Sequence, residues 1–181
     1  ATGDVTIPPG DYVNVTLGID LGGLIGFAQA FSSYPKIIIT NSYATGKVQG
    51  DYVNIGGLIG NAQENIAVEN SHATGNVAGE GVVGGLIGNA AQSIIKKSYA
   101  TGNVTRSGCH RSGSSLGGLV GVFNGSSLLA HHVSIENSFA TGNVTTSCGD
   151  TTGGLVGGTT IIREYVDSAS IVNSYAIGKI S

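Results

Sequence analysis

A glycine-rich block repeats five times along this chain and restricts the folds that it can adopt. The block reads Gly-Gly-Leu-[Ile/Val]-Gly, and successive copies begin 34, 28, 33 and 36 residues apart. The copies start at Gly22, Gly56, Gly84, Gly117 and Gly153. Repeats of this length are typical of solenoids and propellers, in which each unit buries its hydrophobic face only against its neighbours. Because no change in composition marks a boundary, residues 1–181 are predicted to form a single repeat domain.

A second block, Asn-Ser-Tyr-Ala-Thr-Gly-x-Val, alternates with the glycine block. Its serine recurs at Ser42, Ser71, Ser98, Ser138 and Ser174, and a truncated copy begins at Ala1. The residues three before and six after each serine are always Ile or Val, the β-branched types that favour strands. The hydrophobic pattern has a period of two, and no stretch of about ten residues has the pattern of an amphipathic helix. These features predict short strands separated by Gly, Asn and Ser.

The repeat length favours a β-solenoid over a propeller. The shortest units have 27 and 28 residues, which leaves room for about three short strands, whereas a propeller blade needs four strands and about 40–50 residues. We therefore expect an all-β fold, a right-handed parallel β-solenoid (β-helix) of five to six coils of 27–43 residues. The handedness follows the general preference of parallel crossovers. Length variation should fall in loops near residues 107–115 and 125–132, and the glycines should supply positive φ at corners and allow backbones to approach closely.

Alternate residues of the second block are predicted to point to opposite sides of the coil wall. The Ser, Ala, Gly and Val positions are small or apolar and are assigned to the interior. The other positions form three outward columns, one aromatic, one of threonine and one of Asx and Lys. The aromatic column is Tyr43, His72, Tyr99, Phe139 and Tyr175. The threonine column is Thr2, Thr45, Thr74, Thr101 and Thr141, and the third column is Asp4, Lys47, Asn76, Asn103, Asn143 and Lys179.

This outer face has two interpretations. In the first it is a solvated wall whose stacked side chains stabilise the pairing of neighbouring strands. In the second it is a binding face, with a glycan stacked on Tyr43, Tyr99 and Tyr175, or with ordered water on the threonine column of an ice-binding solenoid. Beside this face, the asparagines that precede the repeat serines are predicted to form a structural ladder of amide hydrogen bonds, which Lys97 interrupts. The ladder consists of Asn41, Asn70, Asn137 and Asn173.

The two cysteines are predicted to form a disulfide. Cys109 and Cys148 are 39 residues apart in sequence. Cys109 lies seven residues after Gly102 and Cys148 six residues after Gly142, the equivalent glycine of the next repeat, so the two cysteines are nearly in register. A disulfide needs Cα atoms roughly 4.4–6.8 Å apart, and a coil spacing of about 4.8 Å meets this condition. Such a bond fits an oxidising, extracellular setting. The alternative is a metal site with His110, which lacks a recognisable fourth ligand.

Composition excludes several classes of protein. Only 10% of the residues are charged, 40% are hydrophobic and the net charge is −3, so the chain is neither disordered by composition nor a typical nucleic-acid binder. Glycine, at 31 residues, does not recur at every third position, which excludes collagen. No apolar stretch approaches the roughly 18–20 residues that span a bilayer. We expect no nucleic-acid partner and no membrane insertion.

No residue cluster with an evident chemistry recurs. The acidic residues do not repeat at matching positions, as the carboxylate pair of a glycosidase or the calcium loops of some solenoids would require. Arg106, Arg111 and Arg163 stand without the acidic neighbours of a polysaccharide lyase, and His131 and His132 are interpreted as a solvated loop pair. We therefore expect no enzyme activity, no metal and no cofactor.

Four sequons mark possible N-glycosylation sites, at Asn14, Asn103, Asn124 and Asn143. Asn124 falls in a predicted loop and is the favoured acceptor. The chain begins and ends within a repeat and shows no signal peptide, so it is interpreted as a mature or excised piece. Bare coil ends would expose unpaired strand edges, and we expect them to stack end to end on copies of the chain or on flanking repeats, with a filament as one outcome.

Together the two blocks resemble the GLUG motif, the Gly-Leu-[aliphatic]-Gly repeat of bacterial and archaeal surface proteins. In that family the repeats accompany large secreted adhesins and flank some secreted peptidases, and the motif has no assigned catalytic residue. The resemblance implies an extracellular, β-helical module at the cell surface that acts as a rigid stalk, an adhesin or a fibre-forming unit. A carbohydrate-binding face on the same rod is the alternative function, and ice binding is a further one.

Overall fold

The computed structural model describes residues 1–6, 19–30, 36–51, 53–109, 114–125, 133–161 and 169–181. Within these residues the chain forms 23 β-strands and no helix. The first coil contains β1 (Val5–Thr6), β2 (Ile19–Gly22), β3 (Ile25–Gln29), β4 (Ile37–Thr40) and β5 (Tyr43–Ala44). The second contains β6 (Val48–Gly50), β7 (Val53–Gly56), β8 (Ile59–Glu69) and β9 (His72–Ala73), and the third contains β10 (Val77–Gly79), β11 (Val82–Gly84), β12 (Ile87–Lys96) and β13 (Tyr99–Ala100).

The last two coils repeat the same order of strands. The fourth contains β14 (Val104–Arg106), β15 (Ser115–Gly117), β16 (Val120–Gly125), β17 (Val133–Glu136) and β18 (Phe139–Ala140). The fifth contains β19 (Val144–Thr145), β20 (Thr151–Gly153), β21 (Val156–Ile161), β22 (Ala169–Val172) and β23 (Tyr175–Ala176).

Equivalent strands of successive coils pair in parallel and build four sheets. Sheet A has the order β1-β6-β10-β14-β19, sheet B the order β2-β7-β11-β15-β20, and sheet D the order β5-β9-β13-β18-β23. Sheet C combines β3 and β4, β8, β12, β16 and β17, and β21 and β22. The fold is therefore the predicted parallel β-solenoid, with four sheets around each coil rather than about three strands. Its handedness stays a prediction.

The register of sheet A shows where the repeat lengths differ. Val5, Val48, Val77, Val104, Val144 and Ile180 are aligned on successive coils, with spacings of 27 to 43 residues. In sheet C, β8 and β12 bend where Glu64, Asn65 and Gln92 adopt positive φ angles of 57°, 53° and 52°. β3 and β4 pair with the parts of β8 before and after this bend, and β16 and β17 pair with the corresponding parts of β12. The strand pairing is therefore kept on both sides of the bend.

Two hydrophobic clusters fill the coil interior. One, between sheets A and B, consists of Leu21, Val48, Ile55, Val77, Val83, Val104, Leu116 and Val144. The other fills the space between sheets C and D and includes three leucines of the glycine block and four alanines of the second block, Leu58, Leu86, Leu119, Ala44, Ala73, Ala100 and Ala140. The predicted inward positions are confirmed in the middle coils, where Ser71, Ala73 and Val77 are 0% exposed.

Of the two predicted roles of the repeat glycines, the structure confirms the close approach of backbones and does not show positive φ. None of the glycines in the two blocks lies in the left-handed region. A Cβ on Gly75 would overlap the carbonyl oxygen of Gly46 in the preceding coil, and one on Gly102 would overlap that of Gly75. A side chain at either position would therefore force adjacent coils apart, which explains why this column admits only glycine.

Candidate functional site

The aromatic column on the outside of sheet D forms a continuous stack. Tyr43 and His72 have ring centroids 5.5 Å apart, His72 and Tyr99 4.7 Å, Tyr99 and Phe139 4.9 Å, and Phe139 and Tyr175 5.3 Å. All interplanar angles are 10° or less. The short strands of sheet D hold these side chains in register because each coil rises by one strand spacing.

This stacking bears on the predicted glycan-binding role. A sugar ring packs against the face of an aromatic ring, but the faces of His72, Tyr99 and Phe139 are covered by their neighbours in the stack. The middle rings therefore present their edges to solvent, and the open ring faces are at the two ends, on Tyr43 and Tyr175. These two side chains are 48% and 52% exposed. The geometry supports stabilisation of strand pairing by the rings, and the binding face stays a prediction.

The threonine column lies beside the rings and faces outward. Thr45, Thr74 and Thr101 are exposed and Thr141 is half-buried. On the same outward side, sheet A carries a second and less regular column of Thr6, Gln49, Ala78, Thr105 and Thr145. The interruption at Gln49 and Ala78 means that no regular two-column threonine array is formed.

A ladder of buried serines, which the sequence analysis assigned only to the interior, runs behind the rings. In each coil the repeat serine donates its hydroxyl to the carbonyl two residues earlier, as Ser98 does to Lys96 at 2.8 Å. The same hydroxyl accepts the backbone N–H of the serine in the preceding coil, so that Ser71 N–H donates to Ser98 at 3.2 Å and Ser98 N–H donates to Ser138 at 3.2 Å. The ladder extends from Ser42 to Ser174. The first four of its five serines each donate their backbone N–H to the serine side chain of the next coil.

The predicted asparagine ladder has a different physical basis. Asn41, Asn70, Asn137 and Asn173 have φ between 48° and 51°, and Lys97 has φ of 48°. Asparagine is the residue other than glycine that tolerates this left-handed conformation best. Among the described residues a single amide hydrogen bond links the column, from Asn173 to Asn137 at 3.4 Å. The column therefore marks a tight turn before each serine and does not form the continuous amide ladder that was predicted.

The Asx column on the outer face bonds one coil to the next. The carboxylate of Asp4 accepts the backbone N–H of Lys47 at 2.8 Å. In the same way the amide oxygen of Asn76 accepts the N–H of Asn103, and that of Asn103 accepts the N–H of Asn143, both at 2.9 Å. Asn143 repeats the contact with the N–H of residue 179 at 2.9 Å. Among the described residues, this column forms side-chain-to-backbone bonds between coils on both sides of Lys47, which interrupts it.

A second polar network, which the sequence analysis missed, lies where sheets B and C meet. The two carboxylate oxygens of Asp20 accept amide N–H groups of Asn54 at 2.8 Å and Asn61 at 3.2 Å. Asn89 donates to Asn61 at 3.1 Å, and Asn124 donates to Asn89 at 3.3 Å. The available signal was the asparagine that follows the glycine block in two successive units, Gly60-Asn61 and Gly88-Asn89.

The structure joins Cys109 and Cys148 by a disulfide, the pairing predicted from the sequence, with Cα atoms 5.8 Å apart. Close to it, the guanidinium of Arg106 bonds the carboxylate of Asp150, and both side chains are almost fully buried. Thr146 also donates to Asp150 at 2.9 Å. The sequence analysis did not identify this ion pair, because Asp150 lies 44 residues away from Arg106 in sequence and one coil away in space.

Charges on sheet C alternate from coil to coil. Glu69, Lys96 and Glu136 are aligned on neighbouring strands, and Lys96 approaches Glu136 to 3.2 Å. A hydrogen bond from Ser134, at 2.8 Å, and the nearby ammonium of Lys96 hold the pKa of Glu136 below its ordinary value. The alternation avoids the repulsion that a column of like charges would create.

Within the described residues, no group of three or more His, Cys, Asp and Glu side chains could hold a metal ion. The same part of the chain contains no helix long and apolar enough to cross a membrane. Asn14, His110, Arg111, His131, His132 and Arg163 lie outside the described residues.

Comparison with known proteins agrees with this architecture. Three consecutive segments, residues 18–49, 51–78 and 79–105, match the profile of the GLUG motif. A stretch of 130 residues, 65% of the chain, is 36% identical to Halomucin of Haloquadratum walsbyi (strain DSM 16790 / HBSQ001) and covers 1% of that protein. The strand register extends the same coil to residue 180, beyond the matched segments. Residues 18–105 of the chain thus carry three GLUG-motif repeats.

Proposed function

We propose that this chain is a rigid, non-catalytic structural module of an extracellular or cell-surface repeat protein. The observation that carries the proposal is the serine ladder, which runs through all five coils together with the ring stack and fixes each coil to the next. A fold held by contacts between neighbours can be lengthened by adding coils without a change in its cross-section. The GLUG repeats and the likeness to Halomucin support a place outside the cell.

Small-angle X-ray scattering of the chain and of two copies joined in frame tests the structural role. At about 4.8 Å for each coil, five coils extend roughly 24 Å along the axis. The joined copies should gain at least that length while the cross-sectional radius stays constant. A flexible pair of separate particles, or a cross-section that changes with copy number, would contradict the proposal.

Adhesion is the second candidate, and a binding screen separates it from a passive spacer. Labelled protein is applied to intact cells and to immobilised glycans, next to the Tyr99→Ala variant and the matched control Tyr99→Phe, which keeps the ring in its stack. A spacer gives no saturable binding in any of the three. Saturable binding that Tyr99→Ala abolishes and Tyr99→Phe retains would replace the spacer with a glycan-binding face.

We also propose that the strands of each end coil pair with a further GLUG coil, which comes either from flanking sequence or from another copy of the chain. Ile171 in the fifth coil and Ile177 and Ile180 directly after it are 48%, 72% and 50% exposed, and Phe27 in the first coil is 50% exposed. The segment of Val5 and the segment of Ile180 occupy equivalent positions in a coil. If two copies stacked end to end, the first segment of one copy and the last segment of the other would therefore compete for the same place in the sheet. Light scattering at rising concentration tests association between copies, and a concentration-independent monomer would restrict the partner to flanking sequence.

A further inference from the structure

Two of the four sequons lie on the regular outer face of the solenoid. Asn103 and Thr105 belong to one sequon, and Asn143 and Thr145 belong to the other. In each, the intervening valine is 0% exposed, while the asparagine and the threonine are exposed. The alternation of a strand thus places the acceptor amide and the hydroxyl that completes its recognition motif on the same solvent-facing side.

The hydrogen bonds of these asparagines orient their amides. The oxygen of Asn103 accepts the N–H of Asn143 at 2.9 Å, and the oxygen of Asn143 accepts the N–H of Lys179 at 2.9 Å. Since the amide oxygen is directed at the next coil, the amide nitrogen is directed away from that contact. An N-linked glycan is attached to this nitrogen and leaves the oxygen available as an acceptor, so a glycan can be added without loss of the bond between coils.

Asn124, the acceptor of a third sequon, differs from Asn103 and Asn143 in exposure and in hydrogen bonding. Asn124 is half-buried in β16, and its amide nitrogen already donates to Asn89 at 3.3 Å. Its amide oxygen is buried without a hydrogen-bond partner among the described residues. A glycan on this nitrogen would replace one of its two hydrogens at a half-buried position, directly beside the bond to Asn89. These contacts favour Asn103 and Asn143 over Asn124 as acceptors, whereas the sequence favoured Asn124.

We infer that Asn103 and Asn143 are N-glycosylation sites of the folded protein and that Asn124 is not. The co-reactant is a lipid-phosphate-linked oligosaccharide. A bond forms between the amide nitrogen and C1 of the sugar, the bond from C1 to the phosphate oxygen breaks, the nitrogen loses one proton and the lipid phosphate is the leaving group. The inference rests on the proposed extracellular location, since such donors act on exported chains.

Asn76 provides an internal control for the geometry. It occupies the same column, and its oxygen accepts the N–H of Asn103 at 2.9 Å, but residue 78 is alanine and the sequon is incomplete. Ala78→Thr should therefore create a third site at an equivalent position. Thr105→Val and Thr145→Val remove one sequon each while keeping a β-branched residue in the strand.

The full chain and these variants are secreted from a host that performs N-glycosylation, so that export is supplied independently of the natural location. The folded fraction is analysed site by site by mass spectrometry after enzymatic glycan release, which converts each formerly occupied Asn to Asp. We expect occupancy at Asn103 and Asn143, loss at Asn103 alone in Thr105→Val, loss at Asn143 alone in Thr145→Val, gain at Asn76 in Ala78→Thr, and none at Asn124.

Two results would overturn the inference. One is an unmodified Asn103 or Asn143 both in the parent and in the variant that removes the neighbouring sequon, where crowding between glycans is relieved. The other is an occupied Asn124 in folded protein. Neither result affects the scattering test of the structural role, so failure of this inference and failure of the proposed function can be told apart.

Discussion

Replacement of one buried serine tests whether the serine ladder holds the coils together. Ser98 is 0% exposed. Its hydroxyl donates to the carbonyl of Lys96 at 2.8 Å and accepts the N–H of Ser71 at 3.2 Å. In Ser98→Ala the Lys96 carbonyl keeps a second donor, the N–H of Asn70 at 3.1 Å, but the N–H of Ser71 is left buried without an acceptor.

The expected loss in the free energy of unfolding of Ser98→Ala comes from the N–H of Ser71, which loses its acceptor. An orphaned buried donor costs about 1–3 kcal/mol, more than the net worth of an ordinary hydrogen bond. Ser42→Ala is the matched control, because the Ser42 hydroxyl donates to the carbonyl of Thr40 at 3.0 Å and accepts no backbone N–H among the described residues. We expect that control to lose at most about 1 kcal/mol.

Equilibrium unfolding in urea, with circular dichroism as the signal, measures both free energies of unfolding. In a chain of this size each kcal/mol corresponds to roughly 2–4 °C in melting temperature, so a thermal scan provides a second measurement. Equal losses in Ser98→Ala and Ser42→Ala would refute the reasoning, because they would show that acceptance of the N–H from the neighbouring coil contributes nothing.

Three further predictions concern the turn, the disulfide and pH. Lys97→Asn should raise the free energy of unfolding by about 0.5–1 kcal/mol, since a left-handed lysine carries a strain of about 1–2 kcal/mol; unchanged urea midpoints would contradict this. Replacing Cys109 and Cys148 by serine should cost about 3–4 kcal/mol by loop entropy, measured in urea against the parent under oxidising conditions. The hydrogen bond from Ser134 lowers the pKa of Glu136 in the folded protein. The ionised Glu136 side chain therefore stabilises the fold fully at pH values above its ordinary pKa of 4.5, and this stabilisation is lost as the pH falls through the lowered pKa of the folded state. Glu136→Gln should therefore lower the melting temperature near pH 7 and make no difference near pH 2.

The inward and outward sides of the second block could be read from the sequence, because strand alternation is a local property that small and β-branched residues report directly. The pairing of Cys109 with Cys148 was also accessible, since a solenoid turns equal repeat position into spatial proximity. The ion pair between Arg106 and Asp150 could not be predicted from the sequence, because neither residue recurs at the same position in other repeats and the two lie 44 residues apart.

The roles of glycine and asparagine illustrate the same division. The sequence by itself determined that the chain is a stack of similar coils, because a motif repeated five times imposes one conformation and one set of neighbours on every copy. The sequence left two roles open for the glycines, and only the tertiary structure decided that they serve close approach alone while Asn41 and its equivalents take the left-handed turns. It also decided that Asn124 is half-buried and bonded to Asn89 whereas Asn103 is exposed. These differences depend on which atoms of the next coil lie nearby, and a one-dimensional pattern does not contain that information.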